Sequence, residues 1–187
     1  MSGSGRRTRQ TTEVRVHRTF AFVDLSGFTA FTDERGDDEA SRLLAGFRAC
    51  VREIASDFGV RVAKWLGDGA MLVGVEDRAL VAAVLDLARR VDESDSPLAV
   101  RIGVSGGDVI VFEGDDYIGG AVNLAARLCT VAAPGEVLAT LETAAVAPDG
   151  CESASVGPRL IPGLSHPVPL VRLGSSLSQA TLAAEQQ

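Results

Sequence analysis

Apolar and polar residues alternate along this chain in blocks that predict strands and helices in turn. The stretch "TFAFVDL", residues 19 to 25, is an apolar run that predicts a buried strand ending at an aspartate. Residues 26 to 36 predict a turn and a short helix. Residues 38 to 58 have apolar side chains at the three-four spacing of one helix face, namely Leu43, Leu44, Phe47, Val51, Ile54, Ala55 and Phe58.

The later segments continue the alternation. Two short strands joined by "LGDG" predict a hairpin, because Asp-Gly tolerates a left-handed turn. A second amphipathic helix follows, and then "PLAVRIGVSGGDVIVFEG", which predicts a strand, a glycine break and another strand. The remaining predicted elements are a helix over residues 119 to 132 and strands over 137 to 140 and 168 to 173.

This order of elements predicts an α+β fold, in which helices pack on one face of a mixed, mostly antiparallel sheet. We expect one domain over residues 19 to 174. A flexible basic tail is predicted for residues 1 to 18, and a second tail for residues 175 to 187. The chain has 187 residues, which suits a single domain with a full hydrophobic core.

Charge and composition narrow the range of partners. Hydrophobic residues make up 46% of the chain, and the formal net charge is −7, which argues against a nucleic-acid surface. The basic run "RRTRQTTEVRVHR" is either a solvated tail or a contact for an anionic partner. No apolar run is long enough to span a bilayer, so we expect no membrane partner. The three cysteines lack a CxxC pair and favour a reduced, cytoplasmic protein.

Two aspartates lie where buried strands are predicted to end. Asp24 closes the first strand, and Asp68 lies between two glycines at the hairpin tip. A carboxylate beside apolar strands is costly unless a cation or hydrogen-bond donors satisfy it, and paired carboxylates on neighbouring strands suit Mg²⁺. Alternatively, Asp68 is only a turn residue and Asp24 only a helix cap.

A third polar group follows in "GDDYIGGAVNLAARL", which contains Asp116, Asn123 and Arg127. On a helix, Asn123 and Arg127 share a face because they are four residues apart. An amide and a guanidinium on one face suit a ribose and a phosphoryl group. A core helix with one satisfied asparagine and one surface arginine is the alternative.

Four segments in this order resemble the catalytic domain of the class III nucleotidyl cyclases, the adenylyl and guanylyl cyclase family: "FVDLSGFT", "KWLGDG", "VRIGVSGG" and "DYIGGAVNLAARL". The resemblance extends from about Thr19 to Leu173 and implies the ferredoxin-like, palm-like fold of that family. It also implies an enzyme that converts a nucleoside triphosphate into a 3′,5′-cyclic nucleotide and pyrophosphate.

The resemblance assigns roles to individual residues. It implies two divalent cations, Mg²⁺ or Mn²⁺, bound by the side chains of Asp24 and Asp68 together with Leu25. Arg101 matches an arginine that contacts the nucleotide phosphates. The substrate-binding set also includes the segment formed by Gly27, Phe28 and Thr29. Asn123 falls at the position that orients the ribose, and Arg127 at the position that stabilises the transition state.

Lys64 is the only lysine among 18 basic residues, and the resemblance places it with Asp116 in the pair that reads the purine. A compact ammonium suits adenine N1, a single acceptor, better than a planar guanidinium does. Asp116 would then accept from the 6-amino group, so the pair predicts ATP rather than GTP. The alternative is an exposed lysine with no such role.

The resemblance further implies a homodimer with two equivalent sites at its interface. Asp24, Asp68 and Arg101 would act from one chain, and Lys64, Asp116, Asn123 and Arg127 from the other. Two features depart from the family: "RLIPGL" stands where a lysine often binds the triphosphate, with Arg159 nearby, and the tip before "GDDYIGG" is short. A guanylyl cyclase, or a silent nucleotide-binding or dimerisation module, are the alternative functions.

Overall fold

A computed structural model describes residues 14 to 112 and 116 to 175. The strands are β1 Val14–Leu25, β2 Arg61–Leu66, β3 Gly69–Gly74, β4 Val100–Phe112, β5 Asp116–Ile118, β6 Val137–Thr140, β7 Cys151–Arg159 and β8 Val168–Ser175. The helices are α1 Phe28–Arg35, α2 Asp37–Asp57, α3 Asp77–Asp92, α4 Gly120–Val131 and α5 Leu141–Ala144.

The strands form one eight-stranded sheet in the order β2-β3-β1-β4-β6-β8-β7, and β5 pairs with the far end of β4. Every pairing is antiparallel except that of β4 with β6. The predicted α+β fold with a mixed, mostly antiparallel sheet is therefore confirmed. Strand β1 lies inside the sheet, where it pairs with β3 on one side and along its whole length with β4 on the other.

Helices cover both faces of the sheet, so the prediction that they share one face is wrong. Successive strand residues point to opposite faces. In β1, Ala21 packs in the core beneath α2 and α3, whereas its neighbour Phe20 packs with Ala121 and Ala125 of α4. The pattern of apolar residues reveals which side of a helix is buried, but not which face of the sheet receives it.

Strand β4 runs without interruption through its glycines, so the predicted break is wrong. A Cβ atom at Gly103 would overlap the backbone of α4 at Ala125 and Cys129. At Gly107, a Cβ atom would lie 3.2 Å from Cβ of Ala121. These glycines therefore allow α4 to pack directly against β4, and they do not end the strand.

Several elements differ from the pattern-based prediction at their ends. Residues 14 to 18 of the predicted basic tail form the beginning of β1. The rest of that tail, residues 1 to 13, and residues 176 to 187 of the second tail lie outside the described residues. Strands β5 and β7 and helix α5 have no counterpart in the prediction.

No helix in the described part of the chain combines the length and the apolar character needed to cross a membrane. All three cysteines, Cys50, Cys129 and Cys151, are free thiols.

Candidate active site

Asp24 lies near the end of β1, directly opposite Arg101 of β4 in the antiparallel register. The Arg101 guanidinium donates to the Asp24 carboxylate at both Nε, 2.8 Å from Oδ2, and Nη2, 2.6 Å from Oδ2. This hydrogen bond is the main reason that the pKa of Arg101 is raised. The strand register thus holds a charged pair at the edge of an otherwise apolar core.

Asp68 occupies the second position of the two-residue turn between β2 and β3. The left-handed residue of this turn is Gly67, with φ of 64°, and not the Gly69 that an Asp-Gly turn would use. Gly69 instead pairs with Asp24, and a Cβ atom there would lie 2.5 Å from the Val23 carbonyl oxygen. Because Gly69 has no side chain, the hairpin tip approaches β1, and the two aspartates lie close to each other.

The electrostatics of this site favour a cation. Desolvation raises the pKa of Asp68 above its ordinary value of 3.8, and the nearby negative charge of Asp24 raises it further. The backbone and Arg101 act in the opposite direction, but do not cancel the rise. Two carboxylates face one guanidinium here, so their negative charge is only partly offset by the cationic side chains of the described residues.

The donor atoms at this site fit Mg²⁺ or Mn²⁺. Carboxylate oxygens are the hard ligands that these cations prefer. Leu25 can offer only its backbone carbonyl, because its side chain is a hydrocarbon without a ligand atom. The described residues contain no group of three or more His, Cys, Asp or Glu side chains arranged for a metal. A cation here would therefore depend on the two aspartates, on backbone oxygen and on substrate or water.

Lys64 and Asp116 form an ion pair within the single chain, with Nζ of Lys64 2.5 Å from Oδ1 of Asp116. Strand β5 reaches β2 because Tyr117 packs edge-on against Phe20 and its hydroxyl accepts a hydrogen bond from Arg61 at 2.9 Å. About half of each charged side chain is exposed, 48% for Lys64 and 53% for Asp116. One donor and one acceptor are therefore presented together to solvent.

Asn123 and Arg127 lie on α4, on the side opposite its buried residues Ala121, Ala125 and Leu128. Asn123 is exposed and Arg127 half-buried. Among the described residues, no hydrogen bond or ion pair connects either side chain to the aspartates or to Lys64. The contacts of the described residues therefore form two groups within one chain, and none of these contacts links the α4 pair to either group.

The Arg127 guanidinium donates to the carbonyl oxygen of Pro162 and lies against Gly163, where a Cβ atom would overlap it. This is the "RLIPGL" stretch, where the family often has a lysine. Arg159 ends β7 and lines a cavity of about 370 Å³ together with Arg172. Arg159, the arginine considered in place of that lysine, therefore lies in the wall of this cavity.

Residues 27 to 29 form the beginning of α1. Gly27 adopts φ of 84°, and no side chain caps the helix. The first helical hydrogen bond runs from the Phe31 amide to the Gly27 carbonyl, so the amides of Phe28 and Thr29 have no acceptor within the helix. Such amides suit a phosphate group. The hydroxyl of Ser26, next to Leu25, is buried without a partner among the described residues.

Sequence reasoning missed the residues that support the hairpin from behind. Arg48 of α2 donates to the Gly67 carbonyl oxygen at 2.7 Å and lies 5.0 Å from the centre of the Trp65 ring. Arg52, one helical turn later, lies at the same distance from that ring. Arginines four residues apart on a helix, in a chain with one tryptophan, were a signal for this contact.

Comparison with known proteins gives these features a context. Residues 11–167 match the family described as adenylate and guanylate cyclase catalytic domain. An uncharacterized protein of Mycobacterium tuberculosis is 38% identical over 147 residues, which are 79% of this chain and 38% of that protein. A pH-sensitive adenylate cyclase of Mycobacterium tuberculosis is 33% identical over 160 residues, which are 83% of this chain and 40% of the relative. The chain thus spans about two fifths of these relatives.

Solved structures show the same architecture. The adenylyl cyclase CyaB from P. aeruginosa is similar with a TM-score of 0.77 at 27% identity, over 88% of this chain and 96% of that one. The guanylate cyclase domain of RhGC from Catenaria anguillulae, in complex with GTP, is similar with a TM-score of 0.78 over 87% of this chain and 98% of that one. At 18% identity, the second likeness shows the fold alone.

The two aspartates are expected to differ in their effect on stability without metal. Asp68→Asn removes a desolvated carboxylate beside Asp24, so it should raise the free energy of unfolding at about pH 7, by at most about 1 kcal/mol. Asp24→Asn weakens the acceptor of Arg101 and should lower the free energy of unfolding. Thermal unfolding in a chelator measures both variants.

The pH dependence gives the control. Since the pKa of Asp68 is raised, the folded protein binds that proton more tightly than the unfolded chain. The unfavourable contribution of Asp68 is therefore absent below its ordinary value of 3.8 and grows as pH rises through the raised pKa. The gain from Asp68→Asn should shrink as pH falls through the raised pKa and be lost below 3.8. Equal losses in both variants at neutral pH would contradict this account of the pair.

Proposed function

The chain belongs to the family of adenylate and guanylate cyclase catalytic domains, and from that premise we propose that it converts ATP into 3′,5′-cyclic AMP and pyrophosphate. The family assignment confirms the resemblance found in the sequence. The choice of ATP depends on one observation, the contact between Lys64 and Asp116. These side chains come from distant parts of the chain and present a donor beside an acceptor.

The two side chains complement the edge of adenine. Lys64 donates to N1, which is a bare acceptor, and Asp116 accepts from the 6-amino group. Guanine has an N1–H donor and a 6-oxo acceptor at these places. The Lys64 donor would therefore face a donor, and the Asp116 acceptor would face an acceptor. A mismatch of this sort leaves polar groups unpaired, which penalises the wrong base.

Asp24, Asp68 and the Leu25 carbonyl would hold two divalent cations, Mg²⁺ or Mn²⁺. When bound, such cations lower the pKa of the ribose 3′-hydroxyl and offset charge on the phosphoryl oxygens. The negative charge left over beside Arg101 supports this assignment. Arg101 and the amides of Phe28 and Thr29, after Gly27, would bind the phosphates.

The reaction is an in-line displacement at the α-phosphorus. The ribose 3′-oxygen forms a bond to that phosphorus, the bond to the bridging oxygen breaks, and pyrophosphate leaves with the electron pair. The proton of the hydroxyl passes to water or to the phosphates of the substrate. Asn123 would orient the ribose, and Arg127 would stabilise the charge that develops on the phosphoryl oxygens.

The site is proposed to form between two copies of the chain. Asn123 is exposed on α4, the Arg127 guanidinium lies against Pro162 and Gly163, and neither side chain contacts the carboxylate pair among the described residues. A head-to-tail dimer with two-fold symmetry would bring the α4 pair and the Lys64–Asp116 pair of one chain to the aspartates of the other. We infer a cytoplasmic enzyme, which the free thiols support.

Purified protein incubated with Mn²⁺ or Mg²⁺ is expected to form cyclic AMP from ATP and to form little cyclic GMP when GTP is supplied instead. Asp24→Ala and Asp68→Ala should each lower turnover at least about a hundredfold, since each removes a proposed metal ligand. Identification of the product by mass spectrometry is the measurement. Formation of cyclic GMP alone would indicate a guanylyl cyclase, and no cyclic product with a folded, metal-supplied protein would indicate a silent module.

Lys64→Arg tests the reading of the base, because it keeps the charge and changes its shape. The wide guanidinium fork can bind Asp116 at two points and so take the acceptor away from adenine. We expect kcat/KM for ATP to fall at least about tenfold. Unfolding should be nearly unchanged, because half of Lys64 is exposed. A variant that turns over ATP like the parent would exclude Lys64 from base recognition.

A further inference from the structure

At the tip of the β2–β3 hairpin, the turn residues Gly67 and Asp68 lie outside the strand pairing, which ends at Leu66 and Gly69. Strand β2 is at the edge of the sheet, and its pairing with β3 is irregular between Val62 and Lys64. At the tip, Gly67 is the residue type with the greatest backbone freedom. Yet this hairpin carries Asp68, for which small displacements would matter in any metal site. A contact from an element outside the sheet would therefore stabilise the position of the turn.

Arg48 supplies that support from α2. One of its Nη atoms donates to the Gly67 carbonyl oxygen at 2.7 Å, and its guanidinium lies 5.0 Å from the centre of the Trp65 ring. The Nε atom of Arg48 is buried and has no partner among the described residues. Among the described residues, the hydrogen-bond acceptor of the guanidinium is therefore the Gly67 carbonyl of the hairpin.

The hydrogen bond to Gly67 acts directly on Asp68. The Gly67 carbonyl and the Asp68 amide belong to one planar peptide group. Fixing the direction of that carbonyl therefore fixes the plane from which the Asp68 backbone continues. Rotation of this peptide would swing the Asp68 carboxylate relative to Asp24.

The contact with Trp65 acts on the neighbouring lysine. Successive residues of β2 point to opposite faces of the sheet. Trp65 packs towards α2, beneath Arg48 and Arg52, while Lys64 points to the other face, where it meets Asp116. Holding the indole from the α2 side thus also fixes the strand from which Lys64 extends.

We propose that Arg48 is a positioning residue that holds the hairpin so that Asp68 and Lys64 stand in their working places. Its influence on catalysis rests on the proposed cyclase function, whereas its influence on the hairpin does not. Arg52 provides a matched comparison. It lies over the same ring at the same distance, but among the described residues it makes no hydrogen bond to the turn.

The first measurement is amide hydrogen exchange of the peptide spanning residues 64 to 71, followed by mass spectrometry in the absence of metal. In Arg48→Ala, the amide hydrogens of this peptide are expected to exchange about tenfold faster than in the parent, because a charge-assisted hydrogen bond is lost. Arg52→Ala should stay within about threefold of the parent, and so should Arg48→Lys, which keeps a donor for the Gly67 carbonyl.

The second measurement is the Mn²⁺ concentration that gives half-maximal cyclisation of ATP. Loss of Arg48 should raise it about tenfold, in the range expected when the support of a metal ligand is removed. Saturating Mn²⁺ should restore kcat to within about threefold, which a misfolded protein would not allow. Arg52→Ala should leave the Mn²⁺ requirement unchanged.

The outcomes separate the two proposals. If the parent forms no cyclic nucleotide, the proposed function fails, and hydrogen exchange still decides the role of Arg48 in holding the hairpin. If Arg48→Ala leaves exchange and Mn²⁺ requirement as in the parent, the positioning role is overturned while the function stands. Equal effects of Arg48→Ala and Arg52→Ala would also overturn it, because they would assign the support to stacking on Trp65 and not to the Gly67 hydrogen bond.

Discussion

The close approach of Asp24 and Asp68 is the constraint on which the rest of the site depends. It requires a glycine at position 69, because a Cβ atom there would lie 2.5 Å from the Val23 carbonyl oxygen. It also requires Arg101, which lies on β4 directly opposite Asp24 and offsets one of the two carboxylates. Desolvation, and then the negative charge of Asp24, raise the pKa of Asp68, and together they make a cation the natural partner. The cost of holding these charges near an apolar core is the physical reason to regard the site as functional.

The other polar groups make no contact with this pair of aspartates among the described residues. Lys64 and Asp116 meet on a separate part of the surface, held by the packing of Tyr117 against Phe20. Asn123 and Arg127 lie on the outer side of α4. A nucleotide has a base, a ribose and a triphosphate, and each set suits one of them. Their separation within one chain supports a site that a second copy completes.

Much of the fold could be predicted from the apolar pattern, because strand and helix periods are local properties. The pattern could not reveal that α4 packs on the face opposite α2 and α3, since this depends on packing between distant segments. The glycines of β4 were misread for a similar reason. Gly103 serves the approach of a helix that begins far along the chain, which no local rule detects.

For the site, the residue types were informative, but their contacts were not. A lone lysine and an aspartate in "GDDYIGG" carry no local sign that they form an ion pair, because the contact depends on the packing of β5, which pairs with β4, against residues distant in sequence. The "LGDG" pattern predicts a left-handed turn at Asp-Gly, whereas the glycine with positive φ is Gly67, before Asp68. The roles of Asp24, Asp68, Asn123 and Arg127 stay predictions until they are measured.

The claim that two chains share each site can be tested most directly by mixing two inactive variants, Asp24→Ala and Arg127→Ala. A mixed dimer would have one site with both lesions and one with neither, so activity should return to about a quarter of the parent level after random exchange. Asp24→Ala mixed with Asp68→Ala is the matched control and should stay inactive, because both lesions lie in the same half. If differently tagged subunits are shown to exchange and the first mixture stays inactive, the shared site is contradicted.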